Sequence, residues 1–282
     1  MSGPDRQNPT PVAPVPITRG SSFYLAMRIL PRERRQAMYA VYAFCRAVDD
    51  IADDDGLRSA RVAMLDRWRT DIARLYTGHG PTGLTKGLAA PVQTFGLRQE
   101  DFRAIIDGME MDVRHDIRAP DWEALELYCD RVASAVGRLS VKIFGIEEEK
   151  GLALSHHLGR ALQMTNILRD LDQDAKMGRL YLPKEALVKA GITEEDVSKV
   201  LAHPLLDQAC AAVVTRARWH FAEASTVMAC CDRQSVRSPR IMASVYRALL
   251  EGLVRRGWSE PRPEVRPSKL RFLWAVTRYG VV

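Results

Sequence analysis

Two stretches of the chain carry aspartates four residues apart, a spacing that places both carboxylates on one face of a helix. The first stretch is CRAVDDIADDD, residues 45–55, and the second is NILRDLDQDAK, residues 166–176. Like charges at this spacing repel one another, so solvent or a cation must compensate for them. Carboxylates on two helices suit Mg²⁺, which binds one or two of them together with phosphate oxygens of a substrate. The two stretches leave two interpretations open, a pair of solvated acidic faces and a magnesium site.

Polar residues precede each aspartate pair on the same helical face, and apolar residues occupy most of the other positions. Each helix would therefore bury one side against the protein and present a polar stripe on the other. Because buried carboxylates are costly unless they are paired or bound to a metal, two such stripes favour a shared site more than one stripe would. The first stripe comprises Tyr42, Arg46, Asp49 and Asp53, and the second comprises Gln163, Asn166, Asp170 and Asp174.

Most of the 282-residue chain shows the apolar spacing of helices, three and four residues apart, and few alternating runs that would indicate strands. We expect one all-α, bundle-like domain over residues 19–282. Residues 1–18 hold five prolines and are expected to form a disordered tail. Glycines and prolines mark the joins between helices. The predicted helices lie near 31–54, 60–76, 84–95, 98–117, 121–144, 150–176, 205–231, 236–257 and 267–278.

Composition excludes several classes of protein. The five cysteines are odd in number and include no C-x-x-C, which argues against a disulfide framework or a zinc site and suits a reducing cytoplasm. No apolar run reaches the roughly 18 residues of a membrane span. The net charge of +6 comes without a nucleic-acid-binding motif, so we expect no nucleic acid partner. A basic and aromatic cluster at 262–274 leaves open a solvated helix or peripheral contact with the anionic lipid of the inner membrane.

The stretches CRAVDDIAD and QMTNILRDLDQDAKMGRLYLP together resemble the squalene/phytoene synthase family, and the similarity extends over about residues 21–278. The resemblance implies the isoprenoid-synthase bundle of helices around a central cavity. It also implies that two prenyl diphosphates are joined head to head, with two or three Mg²⁺ ions held between the aspartate motifs. Farnesyl diphosphate is the expected substrate.

The resemblance assigns site residues in three groups. The implied metal ligands are Asp49, Asp53, Asn166, Asp170 and Asp174. The implied substrate-binding residues are Ser22, Phe23, Arg46, Gln163, Asn166, Arg169, Arg179 and Tyr246. The implied catalytic residues are Tyr42, Arg46, Asp49, Asp53 and Tyr128.

The implied chemistry explains these residue types. Mg²⁺ and arginine neutralise the leaving diphosphate, so that the allylic C–O bond can ionise. The carbocation then needs an apolar cavity without water, and tyrosine rings can stabilise its charge. Addition to the second prenyl double bond and loss of a proton close a cyclopropane.

Two departures from the family pattern bear on the product. The segment GSSF at 20–23 has Ser21 where the family usually has a basic residue, and YCDRVASAVG at 128–137 has an unusual Asp130-Arg131 pair. With the ending RPSKLRFLWAVTRYG, these imply the branch that makes presqualene diphosphate for squalene and hopanoid biosynthesis and leaves reduction to downstream squalene-forming enzymes. No NADPH is then expected for this half-reaction.

Three alternatives stay open at this point. One is a phytoene synthase that uses two geranylgeranyl diphosphates, and another is a full squalene synthase that uses NADPH. The third, from a different class, is a non-catalytic helical protein that binds prenyl lipids. The sequence does not indicate an oligomeric state.

Two further motifs are given structural roles. His156 and His157 are adjacent, so their side chains point about 100° apart on a helix and do not easily bind one ion. Asp112 and Asp116 are four residues apart, and we expect them to form a salt-bridged helix face.

Overall fold

The computed structural model describes residues 26–115, 117–266 and 269–280, apart from the side chains at 269–273 and 280. The predicted tail at 1–18 and the candidate residues Ser22 and Phe23 lie outside the described residues. Within them the protein is helical without strands, and an isolated parallel bridge joins Arg118 to Leu180. The prediction of an all-α bundle is confirmed.

The helices are numbered here in chain order. They are α1 (Arg32–Asp53), α2 (Arg58–Tyr76), α3 (Ala89–Phe95), α4 (Gln99–Arg114), α5 (Trp122–Cys129), a π-helical turn (Asp130–Ser134), α6 (Ala135–Phe144), α7 (Glu148–Lys176), α8 (Lys184–Lys189), α9 (Val197–Leu201), α10 (Leu206–Ala229), α11 (Arg237–Arg256) and α12 (Lys269–Gly280).

Helix α7 forms the centre of the bundle. Its 29 residues span about 44 Å, and it packs against α6, α10, α11 and the π-helical turn. Buried residues occur along its whole length, from Gly151 to Leu171. Because α7 packs against several elements, polar residues on its buried faces must lie in an interior cavity or pair with buried partners.

Helix α1 is amphipathic as predicted. Its buried face includes Val41, Phe44, Val48 and Ile51, which recur at three- and four-residue spacing. The Phe44 ring meets the rings of Trp68 in α2 and Phe102 in α4 edge to face, with centroids 5.3 and 5.2 Å apart. These contacts hold α1 against α2 and α4 and leave its polar stripe on the opposite side.

Three segments differ from the predicted helices. The predicted helix at 121–144 is divided by the π-helical turn, and the one predicted at 84–95 begins only at Ala89, two residues after Gly87. Helices α8 and α9 were not predicted, because five or six residues are too few to show a helical period. Pro183 precedes α8, and the Asp196 carboxylate caps α9 by accepting a hydrogen bond from the Lys199 amide.

Candidate active site

The aspartates of α1 are paired with arginines. Arg46 donates to Asp49 over 2.5 Å and to Asp50 over 2.6 Å, one turn further along the same helix. Asp53 accepts a hydrogen bond of 2.7 Å from Arg179, which follows α7 in the chain. Asp49 therefore has a partner on its own helix, whereas Asp53 has a partner from the segment that contains the other aspartate motif.

The aspartates of α7 have a similar arrangement. Arg169 donates to both carboxylate oxygens of Asp170, over 2.7 and 2.5 Å. The amide oxygen of Asn166, one turn earlier, is buried and has no hydrogen-bond partner among the described residues. A buried acceptor without a partner is unfavourable, so this atom is suited to a ligand.

Arg179 connects the two motifs. Its guanidinium is buried, donates to Asp53, and also donates to the backbone oxygen of Ala52 over 2.8 Å. Burial raises the pKa of Asp174 and of Asp112 on α4, and the positive charge of Arg179 offsets part of this rise. Its effects on α1, α4 and α7 place Arg179 between these elements, so the structure brings the two predicted aspartate stripes together.

The carboxylates retain an excess of negative charge despite these arginines. Burial, together with repulsion from Asp53, raises the pKa of Asp49 to about 6. Burial and repulsion from Asp170 raise the pKa of Asp174 to about 7. Bound cations would relieve this repulsion. We refer to Asp49, Asp53, Asp112, Asp170 and Asp174 with Arg46, Arg169 and Arg179 as the acidic cluster.

The acidic cluster fits Mg²⁺ by its donor atoms. Carboxylate oxygens and the unpartnered Asn166 oxygen are hard ligands of the kind that Mg²⁺ prefers. In the ion pairs described, three of the four predicted aspartate ligands bind arginine. These guanidiniums are free to contact a diphosphate once a metal binds the carboxylates.

Asp112 is a member of the acidic cluster that the sequence did not indicate. Its predicted role in a salt-bridged helix face was wrong, because the side chain is buried, with its neighbours Tyr128 and Tyr181. Tyr128 donates to one carboxylate oxygen over 3.0 Å and Tyr181 to the other over 2.6 Å. The two tyrosine rings stack with centroids 4.9 Å apart. Asp112 thus fixes the hydroxyl of the predicted catalytic residue Tyr128.

The remaining predicted residues that the structure describes lie on α1, α7 and α11. Tyr246 of α11 is half-buried, and its hydroxyl group interacts electrostatically with Arg169, Asp170 and Tyr42. Burial is the main reason that its pKa is raised. Tyr42 and Gln163 are also half-buried. The structure therefore places Tyr42, Arg169 and Tyr246, from three different helices, near one another.

An apolar cavity of about 90 Å³ adjoins these helices, lined by residues of α6, α7, α11 and the π-helical turn. Several of the residues that line it are small, among them Ala133, Gly137, Ser155 and Gly159. Gly137 and Gly159 allow close helix packing, because a Cβ atom there would meet Ser155 and Ser134. Helix α7 lines the cavity up to Leu162, and its polar stripe begins at the next residue, Gln163. One helix therefore contributes to both the apolar cavity and the acidic cluster.

The unusual segment at 128–137 adopts the π-helical turn beside this cavity. Asp130 accepts hydrogen bonds from Arg138 and Arg160, at 3.2 and 3.3 Å. Ser134 accepts from Arg160 over 2.9 Å and lies directly against Gly159, where a Cβ atom would clash with the Ser134 backbone. The unusual Asp130 is thus paired with the buried Arg160 of α7, which also contacts Ser134.

Comparison with known proteins agrees with this geometry. The squalene/phytoene synthase family model matches residues 18–271. The chain is 56% identical to the presqualene diphosphate synthase of Rhodopseudomonas palustris, over 97% of this chain and 98% of that protein. A dehydrosqualene synthase crystal structure aligns with a TM-score of 0.80 and 26% identity, covering 93% of this chain and 91% of the other.

The squalene synthase HpnC from Alicyclobacillus acidocaldarius aligns with a TM-score of 0.76 and 31% identity, over 84% of this chain and 89% of that one. The fold and the sequence together define a prenyltransferase of the all-α isoprenoid-synthase class. The chain belongs to the squalene/phytoene synthase family. Among the helices that the structure describes, none has the length and apolar character to span a membrane.

Proposed function

We propose that this enzyme joins two farnesyl diphosphates head to head, with Mg²⁺, to give presqualene diphosphate, one free diphosphate and one proton. The observation that supports this most directly is the acidic cluster, in which two aspartate motifs share Arg179 beside an apolar cavity. The 56% identity to a presqualene diphosphate synthase favours this product over phytoene.

Asp49, Asp53, Asn166, Asp170 and Asp174 would hold the magnesium ions. When bound, Mg²⁺ neutralises diphosphate oxygens and so lowers the barrier to loss of the leaving group. The unpartnered oxygen of Asn166 and the raised pKa values of Asp49 and Asp174 both support a cation here.

Arg46, Arg169 and Arg179 supply fixed positive charge for the two diphosphates. Each guanidinium is already ordered by a carboxylate, so little reorganisation is needed when a phosphate oxygen takes that place. Arg179 is in addition held by the Ala52 carbonyl, which fixes its position relative to α1.

Tyr128 and Tyr181 stabilise positive charge as the carbon skeleton forms. Because their hydroxyl hydrogens are donated to Asp112, the oxygens have lone pairs available toward a neighbouring cation. Burial and the Asp112 charge hold the pKa of both tyrosines well above the usual value, so both hydroxyls remain protonated. Asp112 is therefore a positioning residue for the two tyrosines.

The apolar cavity accommodates the hydrocarbon chains and excludes water. Its lining is almost entirely apolar, with Ser140, Ser155 and Ser238 as the hydroxyl-bearing residues. Two of these hydroxyls are donated to backbone carbonyls of their own helices, Ser140 to Val136 and Ser155 to Gly151. Few polar groups are then left to hold a water molecule that would react with a carbocation.

The same proposal extends to the surroundings of the enzyme. The substrate is amphiphilic and the product carries a long hydrocarbon, so we place the enzyme in the cytoplasm, with peripheral contact at the inner membrane. A reductive, squalene-forming enzyme would consume the product, because the cyclopropyl diphosphate still has to lose its diphosphate and gain a hydride.

A product assay tests the proposal. Purified enzyme is incubated with farnesyl diphosphate and Mg²⁺, without and with NADPH, and the products are identified by mass spectrometry. We expect presqualene diphosphate under both conditions. Squalene formed only with NADPH would indicate a full squalene synthase. Turnover of geranylgeranyl diphosphate alone would indicate a phytoene synthase, and no turnover of either substrate would indicate a binding protein.

A further inference from the structure

A cluster of three histidines lies outside the acidic cluster, between α7 and α10. His156 and His157 belong to α7 and His220 to α10, and their ligating nitrogens all lie within 4.8 Å of one another. Along α7, His157 is about 13 Å from Asn166, the nearest predicted magnesium ligand on that helix. The cluster is therefore separate from the proposed catalytic centre.

The central feature is a contact between two imidazoles. The Nδ1 atoms of His157 and His220 are 3.1 Å apart. Two nitrogens that bind one Zn²⁺ at 2.0–2.1 Å with a tetrahedral angle are separated by roughly the same distance. The ring of His156 lies edge-on to that of His157 with centroids 4.8 Å apart. Although adjacent helical side chains were expected to diverge, a ligating nitrogen of His156 lies within 4.8 Å of those of His157 and His220.

A hydrogen bond between the two histidines explains the same contact less completely. His220 is 1% exposed, and its Nε2 atom is buried without a hydrogen-bond partner among the described residues. The closest carboxylate oxygen, Oε1 of Glu126, lies 3.9 Å away. A histidine that binds metal through Nδ1 must carry hydrogen on Nε2, and metal-bound histidines usually direct that hydrogen at a carboxylate.

The charge around the cluster allows a cation. Glu126 stays ionised, because the opposing effect of burial is outweighed by the hydrogen bond from Arg160 and the nearby His220, which lower its pKa to about 2. Arg160 and Arg216 offset part of this charge by pairing with Glu126, and Arg160 also pairs with Asp130. Partial burial and the Arg160 charge lower the pKa of His156 to about 4, and the pKa of His157 is also lowered. Both imidazoles are then neutral at pH 7, as metal binding requires.

We propose that His156, His157 and His220 form a site for a borderline divalent transition metal such as Zn²⁺, with Glu126 oriented behind His220. Imidazole nitrogens select Zn²⁺ over the oxygen-preferring Mg²⁺, so the two sites take different metals. The metal links α7 to α10 and leaves its remaining position to water, beside the half-exposed ring of Trp219, whose centroid is 4.6 Å from that of His220.

Zinc binding to chelator-treated protein tests the site. The protein is titrated with Zn²⁺ in competition with a chromophoric chelator, in buffer with excess Mg²⁺ so that oxygen sites are occupied. We expect one Zn²⁺ per chain and a rise in melting temperature. His157→Gln should weaken binding about 100-fold and His156→Gln about 10-fold, since each removes one of three protein ligands. X-ray absorption at the zinc edge should show imidazole nitrogens.

Two control variants show whether zinc binds at the histidines or elsewhere on the chain. His79→Gln removes an exposed histidine from a distant turn and should leave zinc affinity unchanged. Asp170→Asn should also leave it unchanged, because this aspartate lies in the acidic cluster. Affinity that falls in Asp170→Asn but not in His157→Gln, or the absence of a stoichiometric zinc site in the wild type, would overturn the proposal. His156→Gln, at an exposed position, keeps the test valid if His157→Gln does not fold.

Discussion

The acidic cluster and the apolar cavity share helix α7 but are built by opposite means. In the acidic cluster, charged side chains converge from α1, α4 and α7, and every arginine is ordered by a carboxylate. The apolar cavity is instead lined by uncharged side chains such as Ala133, Leu158 and Met242. The cluster should therefore control whether the reaction occurs, and the cavity should control which chain length reacts.

The largest effect is expected from the acidic cluster. Asp170→Asn keeps the shape of the side chain but removes the charge proposed to bind metal, so we expect turnover to fall by about 10³-fold. Initial rates with farnesyl diphosphate and Mg²⁺ measure this, and circular dichroism checks the fold. Asp55→Asn is the matched control, because Asp55 is exposed just beyond the end of α1 and should retain full activity. Unchanged turnover in Asp170→Asn would refute the metal assignment.

A substitution of Asp112 tests whether this residue acts through its charge or by positioning the two tyrosines. Asn at this position has one acceptor oxygen for two tyrosine hydroxyls, so one donor loses its partner at a cost of about 1–3 kcal/mol. We expect Asp112→Asn to lower kcat by roughly 10- to 100-fold, on the basis of that energy, with little change in the Mg²⁺ dependence.

The matched variant is Asp107→Asn on the same helix, where the carboxylate pairs with Arg69 away from the tyrosines. It should leave kcat near the wild-type value. A strong change in the Mg²⁺ dependence of Asp112→Asn would instead make Asp112 a metal ligand, and equal losses in both variants would reflect a general disturbance of α4.

Substitutions in the cavity should change the selectivity for prenyl chain length more than the overall rate. Phe144 lines the cavity, and Phe144→Leu enlarges it, so kcat/KM for geranylgeranyl diphosphate relative to farnesyl diphosphate should rise about tenfold. Competition between the two substrates, followed by mass spectrometry, measures the ratio. Phe102→Leu makes the same change at a buried position outside the cavity and should not alter it. A similar shift in both variants would mean that loosened packing, rather than cavity size, sets the chain length.

The same comparison explains what the sequence could predict. The two aspartate stripes were found because helical spacing alone places Asp49 with Asp53 and Asp170 with Asp174. Asp112 was missed because its partners, Tyr128 and Tyr181, come from other segments and no local spacing indicates them. The four-residue spacing from Asp112 to Asp116 indicated a salt-bridged helix face instead.

The apolar cavity was beyond sequence reasoning for a different reason. Small residues are common in helices, and a glycine such as Gly159 is required here by close approach to Ser134 rather than by a local motif. The π-helical turn had no periodic signal either, since it adds one residue to an otherwise continuous helix. We propose that chain-length selectivity depends on these features, which would explain why the sequence left the C15 and C20 substrates open.

The smallest expected effect is a pH dependence of the free energy of unfolding. It arises from the ionisable carboxylates of the acidic cluster, which the apolar cavity lacks. The pKa of Asp174 is raised to about 7 in the folded protein, above the ordinary value of 3.8. The folded state therefore binds the proton more tightly, and this stability is lost as pH rises through the window from about 4 to 7. Asp174→Asn cannot ionise, so relative to wild type it should gain about 1–2 kcal/mol between pH 5 and pH 8 after solvent screening.

Urea denaturation in EDTA, at pH 5 and pH 8, gives the two free-energy differences between wild type and variant. Comparing the proteins at each pH cancels contributions from groups such as His156, whose lowered pKa acts in the opposite direction. Excess Mg²⁺ should raise the free energy of unfolding of the wild type relative to that of the variant at pH 8. The ion would bind the ionised Asp174 and relieve its repulsion from Asp170. A difference that does not vary with pH would mean that Arg179 already neutralises Asp174, and the need for a cation at this end of α7 would disappear.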